Sequence, residues 1–257
     1  MRSKIIFLLV TFVLSFTILG TKIQSYYTPA KIRTPYQTTQ HHDDTIRIAY
    51  IGDSWAVGHQ FHNCKIKDLL ERDLHRPVIV RTYGIGGLTS KEIYYALFDL
   101  DNLRYFMKKG YDYCYISAGI NDTYKKMSTS YYQQSMDCII RFLLANHIHP
   151  IIQEIPDYNI RKVYDNQTVK KKFIRKFSQL VNEIDVDCKQ QFRNSLNELI
   201  QVKGYMRKIS IIRYKSWNRN YMNDLSTLYI EDQMHLNDKG YCVLDSVIAD
   251  NIIANTH

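Results

Sequence analysis

The sequence predicts an α/β protein with one mostly parallel, five-stranded sheet and helices on both of its faces. Three observations lead there. Short apolar runs rich in isoleucine, valine and tyrosine recur between residues 46 and 214. Longer segments between them bring back their apolar residues at helical spacing. Strands that alternate with helices are joined by crossovers, and a crossover sets its two strands parallel.

The elements follow in order. Residues 46–51, Ile-Arg-Ile-Ala-Tyr-Ile, read as the first strand, and 65–74 as an amphipathic helix. The run 78–81 is a second strand and 91–103 a second helix. Residues 111–117 form a third strand and 131–146 a third helix, followed by a fourth strand at 150–155. A long helical region covers roughly 167–200, with a break near Asp187. Residues 209–214 are the fifth strand, and 239–254 the closing helix. No internal repeat or low-complexity block interrupts the series.

Bulk properties limit what such a chain does. At 257 residues it can bury one substantial core. Hydrophobic residues at 45% and charged residues at 23% are those of an ordinary globular protein. The formal charge of +9 is densest at Lys170-Lys171-Lys172 and Arg175-Lys176. Phe173, Phe177, Leu180 and Ile184 fall at near-helical spacing through that stretch, which makes the lysines the wet side of an amphipathic helix. No nucleic-acid motif accompanies the charge, so a nucleic-acid partner is not expected. Five scattered cysteines, Cys64, Cys114, Cys138, Cys188 and Cys242, include no Cys-x-x-Cys pair, which argues against a disulfide framework or zinc ribbon.

The N-terminus has a different character. Arg2 and Lys4 precede an apolar run over residues 5–20, the pattern of an export signal. Sixteen residues make about 24 Å of helix against a hydrocarbon core of about 30 Å. Residues 1–21 therefore read as a signal peptide or a retained membrane anchor, and the protein as exported and free or tethered. Residues 22–45, with Pro29, Pro35 and His41-His42-Asp43-Asp44, read as a polar linker. The domain proper is 46–257.

In a parallel sheet, ligands gather beyond the carboxyl ends of the strands. Gly52-Asp53-Ser54 follows the first strand, residues 84–89 the second, and Gly119-Ile120-Asn121-Asp122 the third. Asp232-Gln233-Met234-His235 lies between the fifth strand and the last helix. All four pieces thus fall on one edge. They contain the parts acyl transfer needs. A serine hydroxyl, Ser54, requires a base, His235, whose tautomer is fixed by a carboxylate, Asp232. The developing oxyanion requires donors, which the Ser54 N–H, the Gly87 N–H and the Asn121 side-chain amide can supply.

Two other patterns are weaker. Residues 84–89 begin like a dinucleotide fingerprint, but Thr89 replaces its last glycine and the segment follows the second strand. His59, His62 and Cys64 have metal-ligand spacing, yet they read as a loop or helix edge near the pocket mouth, and no metal is expected.

These residues resemble the SGNH, or GDSL, hydrolase family. Gly52-Asp53-Ser54-Trp55 is similar to its first block, with tryptophan where leucine is usual, a packing position. Residues 83–89 are similar to its second block, with Gly87 at the oxyanion glycine. Gly119-Ile120-Asn121-Asp122 matches the third, and residues 232–237 the fifth. The resemblance spans about residues 46–254. It implies a three-layer, flavodoxin-like fold and ester hydrolysis through an acyl-serine, without metal or organic cofactor. The expected substrate is an ester, foremost an O-acetyl group on a carbohydrate. Lysophospholipase, thioesterase and polysaccharide O-acetyltransferase activities stay open, as does a non-catalytic carbohydrate-binding module on the same scaffold. Substrate-binding residues are not identified, although the undiagnostic stretch 158–230 is expected to contribute to the pocket.

Overall fold

The structure, a computed structural model, describes residues 24–61, 66–165 and 167–256. Five strands, β1 (Ile46–Gly52), β2 (Val78–Gly84), β3 (Tyr113–Ser117), β4 (His149–Gln153) and β5 (Ser210–Ile212), form one sheet in the order β2-β1-β3-β4-β5. Every pairing is parallel. The predicted class holds, and the strand order is the flavodoxin-like one. The described helices are, in chain order, α1 (Ser54–Phe61), α2 (Ile66–Leu74), α3 (Ser90–Asp99), α4 (Asp101–Lys108), α5 (Ile120–Lys125), α6 (Thr129–Ala145), α7 (Ile160–Asp165), α8 (Val169–Val181), α9 (Lys189–Val202), α10 (Tyr214–Trp217), α11 (Tyr221–Leu228) and α12 (Asp238–Thr256).

The period of two along a strand divides these helices into layers. Ala49, Ile51, Cys114, Ile116 and Ile152 point to one face, where they meet Ile93 and Leu97 of α3, Met107 of α4, Ile139 and Leu143 of α6 and Leu196 of α9. Ile48, Tyr50, Tyr115 and Ile151 point to the other, against Trp55 of α1, Leu70 of α2 and Leu244 and Ile248 of α12. Both faces are covered, which is why the strands read as continuous apolar runs instead of alternating ones.

Register positions the edge on which the site forms. Gly52 is level with Gly84 on one side and Ser117 on the other, so three strands end together and their loops leave together. A Cβ on Gly52 would stand 2.1 Å from the Ser117 carbonyl oxygen, an approach that only glycine permits.

The structure differs from the sequence pattern in several places. The helix predicted over 91–103 is two helices, because Leu100 leaves the helical region (φ −101°, ψ 107°). Four further short helices, α5, α7, α10 and α11, have too few turns to show a period, and α1 begins directly at Ser54. The region 167–200 breaks between Val181 and Lys189, as the pattern predicted. The fifth strand spans only 210–212 and the third starts at Tyr113.

The orientation of α8 is a correction. Phe173 is 72% and Leu180 71% exposed, and Phe177 is also exposed, while Arg175 and Ser178 are buried. The lysines and the phenylalanines therefore share the wet side, and a polar stripe faces inward. Of the apolar set expected to face the core, only Ile184 is buried.

Residues 28–41, read as linker, lie against the domain. Thr38 N–H donates to Asn146 Oδ1 at 2.8 Å, Tyr36 OH to the Leu97 carbonyl at 2.9 Å, and the Arg33 N–H to Tyr94 OH at 2.7 Å. The expected signal peptide or anchor, up to residue 21, falls outside the described residues. Among the described residues no helix is long and apolar enough to cross a membrane.

Candidate active site

The site begins at the sharp exit from β1. Asp53 N–H donates to the Ser117 carbonyl at 3.1 Å, and the Asp53 carboxylate accepts from the Trp55 N–H at 3.0 Å and Ser117 Oγ at 2.9 Å. These bonds start α1 at Ser54, whose side chain lies in the first helical turn. Trp55 is fully buried and packs edge-on to Trp217, with ring centroids 5.8 Å apart. The tryptophan thus occupies a packing position, as the sequence suggested.

The loop after α11 brings the other half. Tyr229 and Leu236 form an antiparallel bridge, and the Ile230 N–H donates to the His235 carbonyl at 2.9 Å. The chain turns between them through Gln233 at φ 59°, a conformation that costs a non-glycine residue about 1 kcal/mol. Neighbours hold it there. The Gln233 carbonyl accepts from Tyr221 OH at 2.8 Å and the Asn159 N–H at 3.1 Å, and Gln233 Oε1 accepts from Asn159 Nδ2 at 2.8 Å.

This turn folds Asp232 onto His235. Asp232 Oδ1 accepts the backbone N–H groups of Met234 and His235 at 2.8 and 2.9 Å. Its Oδ2 lies 2.5 Å from His235 Nδ1, and His235 Nε2 lies 2.8 Å from Ser54 Oγ. Burial by itself would raise the Asp232 carboxyl, but the hydrogen bonds from the His235 ring and the two backbone N–H groups outweigh it and hold the pKa at about 2. The carboxylate is therefore ionised wherever the protein is folded and working. It accepts the Nδ1 proton and leaves Nε2 facing the serine.

The three groups expected as donors lie along the same cavity. As the first residue of α1, Ser54 has a backbone N–H with no intrahelical acceptor. Gly87 has φ 82°, and no heavy atom lies within 4 Å of where its Cβ would be, so the backbone there is open to a ligand. Asn121, in the first turn of α5, donates from Nδ2 to the Leu88 carbonyl at 3.0 Å and to Asp53 Oδ2 at 3.4 Å. Ser54, Gly87, Asn121, Asp232 and His235 all line one cavity of about 510 Å³. The structure brings together every site residue singled out from the sequence.

Two buried carboxyls support these positions. Asp122 accepts from Ser90 N–H at 2.8 Å and Ser90 Oγ at 2.6 Å, tying α5 to the start of α3. Burial raises Asp122 to about 7 and Asp53 to about 6, against the pull of their hydrogen bonds.

The rest of the cavity wall was not identified in advance. Tyr124, Val163, Gln167, Thr168, Lys171 and Met234 supply it. Most of these lie within 158–230, the stretch expected to contribute. Nothing local marks them in the sequence, because they reach the pocket through the packing of α7 and α8. His59 is not at the pocket mouth but buried in α1, ringed by Tyr50 and Tyr241 at 4.6 Å each, with Nδ1 3.4 Å from Asp245. His62 and Cys64 lie outside the described residues. Among the described residues no group of His, Cys, Asp or Glu could hold a metal ion.

No family model and no curated protein matches the chain. Solved structures do. A lipase/acylhydrolase from Enterococcus faecalis aligns with a TM-score of 0.57 at 16% identity, over 82% of this chain and 96% of that one. A putative platelet activating factor protein from a streptococcus (Streptococcus pneumonia) aligns at 0.54 and 17% identity, over 95% and 98%. An acetyl xylan esterase aligns at 0.53 and 16%, over 80% and 100%. Further matches include structures described as GDSL-like lipase and SGNH hydrolase. The fold of this chain is the SGNH hydrolase fold.

Proposed function

We propose that this protein is a serine ester hydrolase whose nucleophile is Ser54, with His235 as base, Asp232 as its orienter, and the Ser54 N–H, Gly87 N–H and Asn121 amide as oxyanion donors. The observation that carries this reading is the continuous relay Asp232–His235–Ser54, with contacts of 2.5 and 2.8 Å.

With these roles the steps are as follows. His235 Nε2 takes the Ser54 proton as Oγ adds to the ester carbonyl. The carbonyl oxygen becomes an oxyanion and takes hydrogen bonds from the two backbone N–H groups and Asn121. Collapse of the tetrahedral species breaks the bond to the alcohol, which leaves with the proton from His235. A water then adds to the acyl-serine, giving its proton to His235. A second collapse frees the acid and returns the proton to Ser54 Oγ. No step calls for a metal or organic cofactor.

The substrate we favour is an O-acetyl group on a carbohydrate, at a site outside the cytoplasm. Tyr124, Val163 and Met234 line the pocket beside Gln167, Thr168 and Lys171, so a small acyl group meets apolar walls and a hydroxylated carrier finds polar partners. An acetyl xylan esterase has the same fold, and the apolar run at residues 5–20 supports export, by a cleaved leader or a tether. The test is turnover of phenyl acetate by the purified protein beside Ser54→Ala, followed by acetylated glycans, lysolipids and a sugar acceptor. Release of acetate by the wild type alone is expected. Equal background rates for both proteins would reject the esterase reading, and transfer of acetate to the sugar in place of release would make the protein a transferase.

A further inference from the structure

A second cavity, of about 230 Å³, adjoins the ester pocket. Tyr124, Gln167 and Lys171 belong to both walls, so the two spaces are immediate neighbours. Tyr26, Lys125 and Ile174 line the second cavity as well, and the inward stripe of α8 that replaced the expected apolar face adds Arg175 and Ser178.

Arg175 is 4% exposed. Its guanidinium is stacked between the rings of Tyr124 and Tyr164, at 3.6 and 3.9 Å from their centroids. Stacking fixes the plane of the group and covers its faces, leaving its edge for hydrogen bonds. Nη1 has no hydrogen-bond partner. Neighbouring cations are compensated: Lys125 meets Glu92 at 3.1 Å, Lys189 meets Asp187 at 2.8 Å, and Arg193 meets Asp157 at 2.7 Å. Arg175 and Lys171 have no such carboxylate among the described residues. Behind them Lys126 is fully buried, and its Nζ donates to the Asp185 carbonyl at 3.1 Å and to that of Val186 at 2.5 Å.

A buried guanidinium without a counter-charge is costly, and proteins pair such charges. Here the missing partner is an anion, and the planar fork of Arg175 fits the oxygens of a phosphate or carboxylate. We propose that this cavity is an anion subsite, which takes a phosphate- or carboxylate-bearing part of the same ester whose carbonyl lies at Ser54. This rests on Ser54 being the nucleophile, and it narrows the substrate to an acidic ester: an acylated uronic acid or phosphorylated sugar rather than a neutral glycan. Lys171 touches both spaces, so it lies where the acyl-bearing part joins the acidic one.

The experiment compares three aryl acetates that differ only at the para position, phenyl acetate, 4-acetoxybenzoate and 4-acetoxyphenyl phosphate, with the full chain. One or both anionic esters should exceed phenyl acetate in kcat/KM by roughly tenfold or more, mainly through KM, the worth of one charge-assisted contact. Whichever anion gains more identifies the class. Lys171→Met and Arg175→Gln should bring that ratio toward one. Lys171 is exposed, so its variant keeps the question answerable if Arg175→Gln fails to fold. Calorimetric titration of Ser54→Ala with glucuronate and with inorganic phosphate reads the subsite without catalysis. Equal kcat/KM for all three esters in the wild type, together with no heat from either anion, would overturn the proposal. If phenyl acetate is not turned over but the anions bind, the esterase reading fails and the subsite stands.

Discussion

The Asn121 amide is shared between the Leu88 carbonyl at 3.0 Å and Asp53 at 3.4 Å. An oxyanion at Ser54 would compete with these acceptors for the amide. If Asn121 donates to that oxyanion, Asn121→Ala should lower kcat about a hundred- to a thousandfold, with KM little changed; a loss under threefold in steady-state assays would reject the role. Asp122 makes a different prediction. Burial raises its carboxyl to about 7, whereas in the unfolded chain it titrates near the ordinary aspartate value of 3.8. Between these values the folded protein holds a proton that the unfolded chain has released. The Asp122 contribution is thus full below about pH 4 and is lost as pH rises through about 7. Asp122→Asn removes that titration, so the gap in Tm between wild type and variant should narrow from pH 5 to pH 8. A gap that widens would contradict the sign.

Elements differ in how far their sequence announces them. The strands were legible because the central ones are apolar on both faces and bounded by turn residues while the edge strand β2 starts with Val78-Ile79-Val80, and the four site motifs because each follows a strand end or, at Asp232, precedes the last helix. Two things were not. Helical spacing shows which residues share a face of α8, but not which face turns inward; here Arg175 stacking on Tyr124 and Tyr164 decides it, and both tyrosines are remote from the pattern. The pocket wall from α7 and α8 was hidden for the same reason. If the outward reading of α8 is right, Phe173→Ser and Phe177→Ser should each change unfolding free energy by less than about 0.5 kcal/mol. A loss of about 3 kcal/mol, the scale of a buried phenylalanine, would turn the helix over. In the loop that carries Asp232 and His235, Tyr221→Phe removes the hydroxyl that holds Gln233. It should cost about 1 kcal/mol in denaturant unfolding and lower kcat severalfold as His235 loses its fixed position. Unchanged kcat would show that the turn holds without it.

Across the whole molecule, the parallel sheet builds its candidate site by bringing remote stretches to one level. Gly52, Gly84 and Ser117 share a register, and α12 packs across α2 and against Tyr50 and Trp55 on the opposite face from α3, α6 and α9. Ser54 and His235 are joined across 181 positions. That separation has a meaning in time. On the ribosome the chain grows from its N-terminus, so Ser54 and all five strands, the last ending at Ile212, are made before Asp232 and His235. On the proposed roles, until residues 232–235 emerge the nascent chain carries a nucleophile with no base to activate it. A chain halted at residue 231 should release no acetate from phenyl acetate, and any turnover by it would place the base elsewhere. If those roles hold, the order of synthesis alone keeps the site silent during translation.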